Sequence, residues 1–540
     1  MIGAMQDWPL NVWRLIDHAA VNHPRREIVC LLVEGGEYRT NWHDVRDRAR
    51  CVASALTGLG MRPGDRIATL AWNTHRHVEC WYGASGMGGV AHTINPRLFD
   101  DQIIFIANHA EDRVLLFDVS FLPLVERIAP RLTTIEHFIV LTDAAHMPDS
   151  GLDLRCYEEM VAAADRDFAW VAVDENAPSG LCYTSGTTGN PKGVLYSHRS
   201  NVLHAFGACM ADAFGMGART TVLPVVPMYH ANAWSIPYAA AAAGAKLVLA
   251  GPHFDAPTLQ RLIIDEGVDL TLAVPTVWLT MLQHLEASGT GLGGLKNVAI
   301  GGSAVPRSMI EAFEHKYGVA VSHLWGMTEM SPIGSIGTPT AEIAALGEAA
   351  QLAAKTRQGR ALFGVEMKVV GADGAELPRD GVAFGRLLVR GPWIVARYFK
   401  GDGGEVLDEE GWFDTGDVAT IDRYGYMGIV DRSKDVIKSG GEWISSIDLE
   451  NAAVGCPGVL EAAVIGIPHP KWDERPLLIV VAKPGASVTK ADVLAHLTGR
   501  IAKWWMPDDV VFVDELPHTA TGKLLKTALR EQFRDHVLAA

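Results

Sequence analysis

Polar and apolar positions along the chain switch between two periods. Trp13 to Ala20, Asp44 to Leu56, His75 to Ser85 and Gln102 to Asn108 carry apolar residues three and four apart, which predicts amphipathic helices. Between them Arg66 to Leu70, Val90 to Ile94, Arg113 to Phe117 and Phe138 to Leu141 are short apolar runs bounded by turn residues, the pattern of buried strands. The rhythm resumes with strands expected at Thr221 to Val226, Lys246 to Ala250, Asp269 to Val274 and Asn297 to Ile300. Alternating β and α units imply a mostly parallel α/β sheet covered on both faces. From Gly364 the texture turns β-like (Val365 to Val370, Gly385 to Arg390), which predicts a small β-barrel-like unit. It changes again at the charged stretch Asp431 to Gly441. Beyond it Val464 to Ile467 and Leu477 to Val481 read as strands and Lys490 to Ala502 as a helix. The expected division is a large N-terminal domain, 1–430, and a small α+β C-terminal domain, 431–540.

One stretch stands apart from this rhythm. Tyr183 to Gly193 reads YTSGTTGNPKG, after the strand-like Leu181-Cys182-Tyr183 and before Ser197, a helix N-cap candidate for His198 to Phe206. Gly186 and Gly189 allow close backbone approach to a ligand. Ser185, Thr187 and Thr188 add hydroxyl donors, Lys192 adds a point charge, and backbone N–H groups in such turns hold anions. The stretch predicts a phosphate cradle, and it is not a Walker A loop. A G-x-G-x-x-G match at Gly289 to Gly294 follows a helical pattern, not a strand, and reads as a surface loop.

Composition narrows the class. The chain has 540 residues, 48% hydrophobic and 20% charged, with a net charge of −16. Domains run to roughly 100–200 residues, so several units are expected. The acidic balance argues against a nucleic-acid surface. Cys30, Cys51, Cys80, Cys156, Cys182, Cys209 and Cys456 show no metal spacing and read as reduced core thiols, which with the unremarkable N-terminus points to a cytoplasmic protein. The most apolar stretch, Ile236 to Ala250, is too short and too broken by Gly244 and Lys246 to span a membrane.

The cradle resembles the phosphate-binding signature of the adenylate-forming superfamily, which includes acyl-CoA synthetases, peptide-synthetase adenylation domains and luciferases. Further stretches resemble its motifs in order. Gly301-Gly302-Ser303-Ala304 is similar to the adenine-side loop. Trp325-Gly326-Met327-Thr328-Glu329 resembles Y-G-x-T-E, with Trp325 keeping a flat ring for adenine but losing the tyrosine hydroxyl. Trp412 to Asp417 resembles the ribose-binding motif, although D-T-G-D also suits a plain turn. Asp431 to Asp435 resembles the family hinge, Ile437 to Ile444 the thioester-site loop, and Pro517 to Lys523 the terminal motif with the adenylation lysine.

The resemblance implies these roles. Thr184 to Gly189 and Lys192 hold ATP phosphates, and Thr184 with Glu329 places Mg²⁺. Gly302, Ser303, Ala304, His323, Trp325, Gly326, Met327 and Thr328 surround the nucleotide, and Asp417 and Arg432 hold ribose. His230, Trp234, Gly302, Gly326 and Pro332 line the acid. Lys438, Ser439, Gly440, Gly441, Glu442 and Trp443 serve coenzyme A. Lys434 is the pivot of a mobile C-terminal domain, and Lys523 and Lys438 act in the first and second steps with His230 and Glu329.

The implied reaction joins a carboxylic acid to coenzyme A through acyl-AMP. Pro227 to Trp234 contains no carboxylate to pair a substrate ammonium, which argues against amino-acid activation. H-A-N-A-W, Ala273 to Trp278 and K-S-G-G-E-W-I-S are most similar to medium- and long-chain fatty acyl-CoA synthetases and their methylmercaptopropionate-activating relatives. Ala239 to Ala243 reads equally as an apolar slot or a closely packed helix, so a long tunnel and a short pocket both stand. A luciferase-like oxygenase and a nucleotide-binding regulator are the other classes. A homodimer is compatible with the family.

Overall fold

The computed structural model describes residues 3–184, 190–439, 442–518 and 524–536, with Glu442 and Trp443 in backbone only. The first sheet has seven strands in the order Leu154–Cys156, His137–Val140, Val114–Phe117, Arg66–Leu70, Val90–Thr93, Pro178–Tyr183, Gly193–Ser197. All neighbours are parallel except the last pair, which flanks the cradle. The second sheet has nine strands. Its parallel centre is Ala320–Gly326, Asn297–Ile300, Leu270–Ala273, Thr221–Pro224, Lys246–Leu249 and Glu27–Leu31. Antiparallel strands close both edges: Ile333–Ile336 and Arg360–Ala361 on one side, Glu37–Asn41 on the other.

One apolar core joins the sheets. It includes Ile28 and Leu247 of one, Ile67 and Val114 of the other, and Trp42, Trp81 and Tyr238 from helices. The helix His75–Gly86 is buried at every position. Its Gly83 lies where a Cβ would come within 2.6 Å of Val52, so the neighbouring helix Trp42–Gly58 approaches closely only because that residue is glycine. Its charged side chains Glu79 and Arg76 are paired: Arg48 with Glu79 at 2.7 Å, Arg76 with Glu34 at 2.6 Å, and the Tyr157 hydroxyl donating to Glu79 at 2.6 Å. Burial pushes the Glu79 carboxyl pKa up against the pull of Arg48. The alanines of Ile236–Ala243 form a packed helix. Ala239, Ala240 and Ala241 are fully buried and line neither of the two cavities described below, which favours the packed helix over the slot.

The β-like segment is a four-stranded antiparallel meander, Glu366–Val370, Phe384–Arg390, Phe413–Ile421 and Met427–Arg432. No pairing closes it into a barrel among the described residues, and its Leu387, Val389 and Ala419 join the large core. Beyond it a five-stranded sheet holds Ile437–Ser439, Glu442–Ile444, Val459–His469, Asp473–Ala482 and Asp509–Phe512. Period-two alternation gives this sheet two faces. Val464, Leu478 and Val480 pack with Leu449 and Val493, while Ile465, Leu477 and Ile479 pack with Leu529. The helix expected to reach Ala502 runs only Lys490–Leu497, before Gly499 at φ +79°. Among the described residues no helix is long and apolar enough to cross a membrane.

Candidate active site

Parallel strands of both sheets end at one cavity of about 340 Å³. Thr184 follows Pro178–Tyr183, and Arg97 follows Val90–Thr93. Tyr229 and His230 follow Thr221–Pro224, Phe254 follows Lys246–Leu249, and Gly302 follows Asn297–Ile300. Carboxyl ends of parallel strands are where open α/β sheets bind ligands. Val225, Val226, Ala273, Val277 and Ile333 add apolar wall, and Thr276, Thr328, Glu329 and Arg432 add polar groups. A second cavity, about 430 Å³, lies between the nine-stranded sheet and the C-terminal unit and is lined by Ser303, Ala304, Trp325, Asp417 and Lys434 among others. The two share Thr276, Gly302, Leu324, Gly326 and Arg432.

The neck of the cradle is closed by its own ends. The Thr184 N–H donates to the Lys192 carbonyl at 2.9 Å, and Tyr183 pairs with Gly193. Ser185, Gly186, Thr187, Thr188 and Gly189 lie outside the described residues. Lys192 lines neither cavity. Its ammonium sits 4.9 Å from the ring centre of Tyr398, whose hydroxyl donates to Glu329 Oε1 at 2.7 Å. Glu329 and Thr184 line the same cavity, one buried carboxylate beside one hydroxyl. Mg²⁺ bound with nucleotides uses one or two carboxylates plus substrate phosphates, so this donor pair fits it. Among the described residues no group of three or more His, Cys, Asp or Glu side chains gathers elsewhere for a metal.

On the nucleotide side Asp417 is buried. Its carboxylate accepts from the Trp325 indole N–H at 2.9 Å and pairs with Arg432 Nε at 2.8 Å. The indole donor thus engages the very carboxylate expected to meet ribose. Trp412 to Asp417 is not a plain turn. Phe413–Ile421 is a strand whose register slips beside Arg386 to Leu388, bulging at Gly416 with φ +71°. Gly326 leaves no room for a side chain, since a Cβ would meet the Pro332 carbonyl oxygen at 2.0 Å. Met327, Thr328 and Pro332 line the first cavity. His323 lines neither cavity. It is buried in its strand, and burial lowers its pKa to about 4.

Trp234 lines the first cavity within a strained segment. Ala231, Asn232, Ala233, Trp234 and Ser235 have φ between 42° and 64°, five successive non-glycine residues in the left-handed region. Each such residue costs roughly 1–2 kcal/mol, and strain of this kind gathers at functional sites. Nearby, Tyr229 Oη, Asn232 Nδ2 and Ser235 Oγ are buried without a hydrogen-bond partner among the described residues.

The C-terminal unit presents one of its two candidate lysine regions to the nucleotide side. His518, Leu524, Leu525 and Lys526, which flank Lys523, line the second cavity, and Lys523 itself lies outside the described residues. Lys438 is exposed and lines neither cavity, and its N–H donates to Glu474 at 2.9 Å. Ser439 accepts from Arg475 at 3.2 Å, Glu442 and Trp443 pair with Ser439 and Lys438, and Gly440 and Gly441 lie outside the described residues. Lys434 lines the second cavity beside Asp435, which Arg530 holds. Lys526 bridges the junction. It pairs with Glu450 at 2.7 Å and donates to Ser446, whose hydroxyl and N–H both donate to Asp431. Burial disfavours the Lys526 charge, but Glu450 first, then Asp431 and Asp435, outweigh it and raise its pKa. Burial also raises Glu450 and Asp431, because one ammonium does not compensate both.

Sequence reading missed Tyr398, Arg97, Phe254 and Lys526. None sits in a spacing with a chemical signature, and each matters through partners far along the chain.

The chain belongs to the AMP-binding enzyme family, whose model matches residues 16–399, with the AMP-binding enzyme C-terminal domain at 448–523. It is 52% identical over 538 residues, 99% of both chains, to the 3-methylmercaptopropionyl-CoA ligase of Ruegeria lacuscaerulensis. It is 48% identical over 543 residues, 100% of this chain and 98% of the relative, to the medium-chain-fatty-acid–CoA ligase of Ectopseudomonas oleovorans. The crystal structure of the anthranilate CoA ligase AuaEII in complex with anthranoyl-AMP shares the fold, with a TM-score of 0.87 at 24% identity over 98% of this chain and 99% of that one.

Asp417→Ala leaves the Trp325 N–H without its acceptor, which costs about 1–3 kcal/mol. The expected outcome is a lower melting temperature together with weakened ATP binding by calorimetry. A fall in stability with ATP affinity unchanged counts against a ribose-side role.

Proposed function

We propose that this chain is an AMP-forming acid–thiol ligase that converts a carboxylic acid to its coenzyme A thioester in two steps. The carboxylate attacks the α-phosphate of ATP, giving acyl-AMP and pyrophosphate, and the coenzyme A thiol then displaces AMP. The observation that carries this is the pair of cavities meeting at Thr276, Gly302, Leu324, Gly326 and Arg432, one bordered by Thr184, His230 and Glu329 and the other by Trp325 and Asp417. An acyl-adenylate is a single molecule with one half for each. The protein contributes positioning and charge stabilisation. The cradle and Lys192 hold phosphates. Glu329 and Thr184 hold Mg²⁺, which supplies charge neutralisation there. Trp325, Asp417 and Arg432 hold the nucleoside, and His230 sits between acid and phosphate. The test is AMP formation with coenzyme A across a panel of acids. A panel with no acid-dependent AMP sinks the reading.

The acid carries no ammonium in its tail, since Glu329 is the one carboxylate among the described residues lining the first cavity and nothing else there pairs an ammonium. The close packing of the alanine helix supports a short or medium linear acid, of which 3-methylmercaptopropionate, named for the relative at 52%, is the leading case. The chain divides at the hinge into two domains, 1–430 and 431–540. The flanks of Lys523 line the nucleotide cavity and Lys438 does not, which supports an arrangement suited to the first step. The second step then needs the C-terminal domain to turn about Lys434.

Three outcomes follow. Lys523→Ala loses about 10²–10³ in adenylation rate, as for one preorganised charge donor, yet still forms thioester from supplied acyl-adenylate. A single-turnover pyrophosphate assay within a few-fold of wild type refutes the role. Trp234→Ala raises activity on octanoate relative to 3-methylmercaptopropionate with ATP affinity unchanged, and an unaltered ratio places Trp234 away from the acid. Lys434→Pro fixes φ near −65° at the pivot, so adenylation persists while thioester formation from isolated acyl-adenylate slows. Equal loss of both rates in a folded protein, checked by circular dichroism, removes Lys434 as the pivot.

A further inference from the structure

Residues 391–412 join two strands of the meander, and the first part of this connection straps together both halves of the phosphate site. The Ser331 hydroxyl donates to the Trp393 carbonyl at 3.2 Å, and the Trp393 indole N–H donates to the Ile333 carbonyl at 3.2 Å. The Val395 N–H donates to the Glu329 backbone carbonyl at 2.7 Å. On the cradle's side, a Cβ at Gly193 would lie 3.0 Å from Phe399, Asp402 lies 3.6 Å from His109, and Lys400 pairs with Glu111 at 2.6 Å. Between these anchors stands Tyr398, itself buried.

Tyr398 touches two groups of opposite charge with two different parts of one side chain. Its hydroxyl donates to Glu329 Oε1, and its ring face lies under the Lys192 ammonium. The terminal torsion of a glutamate is broad, so one hydrogen bond to Oε1 turns the other oxygen toward a single direction. A lysine ammonium on a four-carbon stem is similarly unconstrained, and a ring face attracts it to one place. Burial first, and the Glu329 carboxylate second, raise the phenol pKa, so the hydroxyl remains a donor over the whole working range.

We propose that Tyr398 is a positioning residue that sets Glu329 and Lys192 in register across the phosphate-binding loop, the carboxylate through its hydroxyl and the ammonium through its ring. The proposal rests on the ligase reading above. It separates the two jobs by chemistry. Phenylalanine keeps the ring and loses the donor, whereas leucine loses both. The backbone bond from Val395 to Glu329 survives in either variant.

The experiment uses the full chain as wild type, Tyr398→Phe, Tyr398→Leu, Lys192→Ala and the Tyr398→Leu/Lys192→Ala double variant. ATP binding is measured by calorimetry in EDTA and across a MgCl₂ series, with melting temperatures as folding controls. Tyr398→Phe is expected to bind ATP in EDTA as wild type does, but to need about tenfold more Mg²⁺ for half of the Mg²⁺-dependent tightening, the size of one hydrogen bond to a charged group. Tyr398→Leu is expected to lose about threefold in EDTA as well, and that loss is expected to vanish in the Lys192→Ala background. General loosening moves ATP affinity in EDTA for Tyr398→Phe and leaves the Mg²⁺ midpoint alone. A wild-type Mg²⁺ midpoint in Tyr398→Phe overturns the hydroxyl's role. A threefold loss that persists without Lys192 overturns the ring's role. Wild-type protein that binds no ATP and releases no pyrophosphate with any acid overturns the ligase reading itself, a result distinct from either of these.

Discussion

At Asp417 one buried carboxylate takes the indole N–H of Trp325 on one oxygen and the guanidinium of Arg432 on the other. Trp325 belongs to the nine-stranded sheet. Asp417 belongs to the meander, and Arg432 ends the last strand before the C-terminal unit. A buried carboxylate without partners is costly, so these three elements are held to one arrangement, and the nucleotide-side cavity is the space that arrangement leaves. The same group is the acceptor proposed for ribose. Structural and binding demands therefore fall on one side chain, and the bulge at Gly416 aims it.

Charge and strain are distributed unevenly around the site. The N-terminal part of the chain pairs buried ions such as Arg48–Glu79 and Arg76–Glu34. The junction with the C-terminal unit instead gathers Glu450 and Asp431 about one ammonium at Lys526, an arrangement less fully compensated. The acyl wall stores backbone strain in the left-handed turn at 231–235. Rigid scaffold thus surrounds two regions whose conformations are held by their surroundings more than by local preference, the pattern expected where binding or rearrangement occurs.

The parallel strands were legible because each is a short apolar run between turn residues, and the observed bounds differ by a residue or two at most positions. The hairpin Glu27–Leu31 and Glu37–Asn41 was not, because Ile28 finds its parallel partner at Leu247, far along the chain. The choice between slot and packed helix at Ala239 to Ala243 was not legible for a related reason. Small side chains in sequence do not say whether the space beside them is empty, and here neighbouring helices fill it. Of the candidate site, Thr184, Glu329, His230, Trp234, Gly302 and Gly326 converge on one cavity as motif order suggested. Trp325 does more than its ring predicted, since its N–H reaches Asp417. Tyr398 was invisible because a tyrosine in a connection has no meaning until its two partners, one before it by more than two hundred positions, fold onto it.

The glycines at the junction of the two cavities carry a consequence for how this family diversifies. Gly326 is fixed by the Pro332 carbonyl behind it, and Gly302, at φ +88°, by its backbone angle. Neither position tolerates change for reasons that concern the acid's tail. Val277, Phe254 and Ile333, which line the first cavity, have no such backbone angle. On the proposed reading, head-group chemistry is locked into main-chain geometry while tail preference is left to exchangeable side chains. Under such an arrangement lineages drift in chain length without relearning the reaction, and relatives sharing nearly half their residues over the full length carry the names of a three-carbon thioether acid and of medium- and long-chain fatty acids.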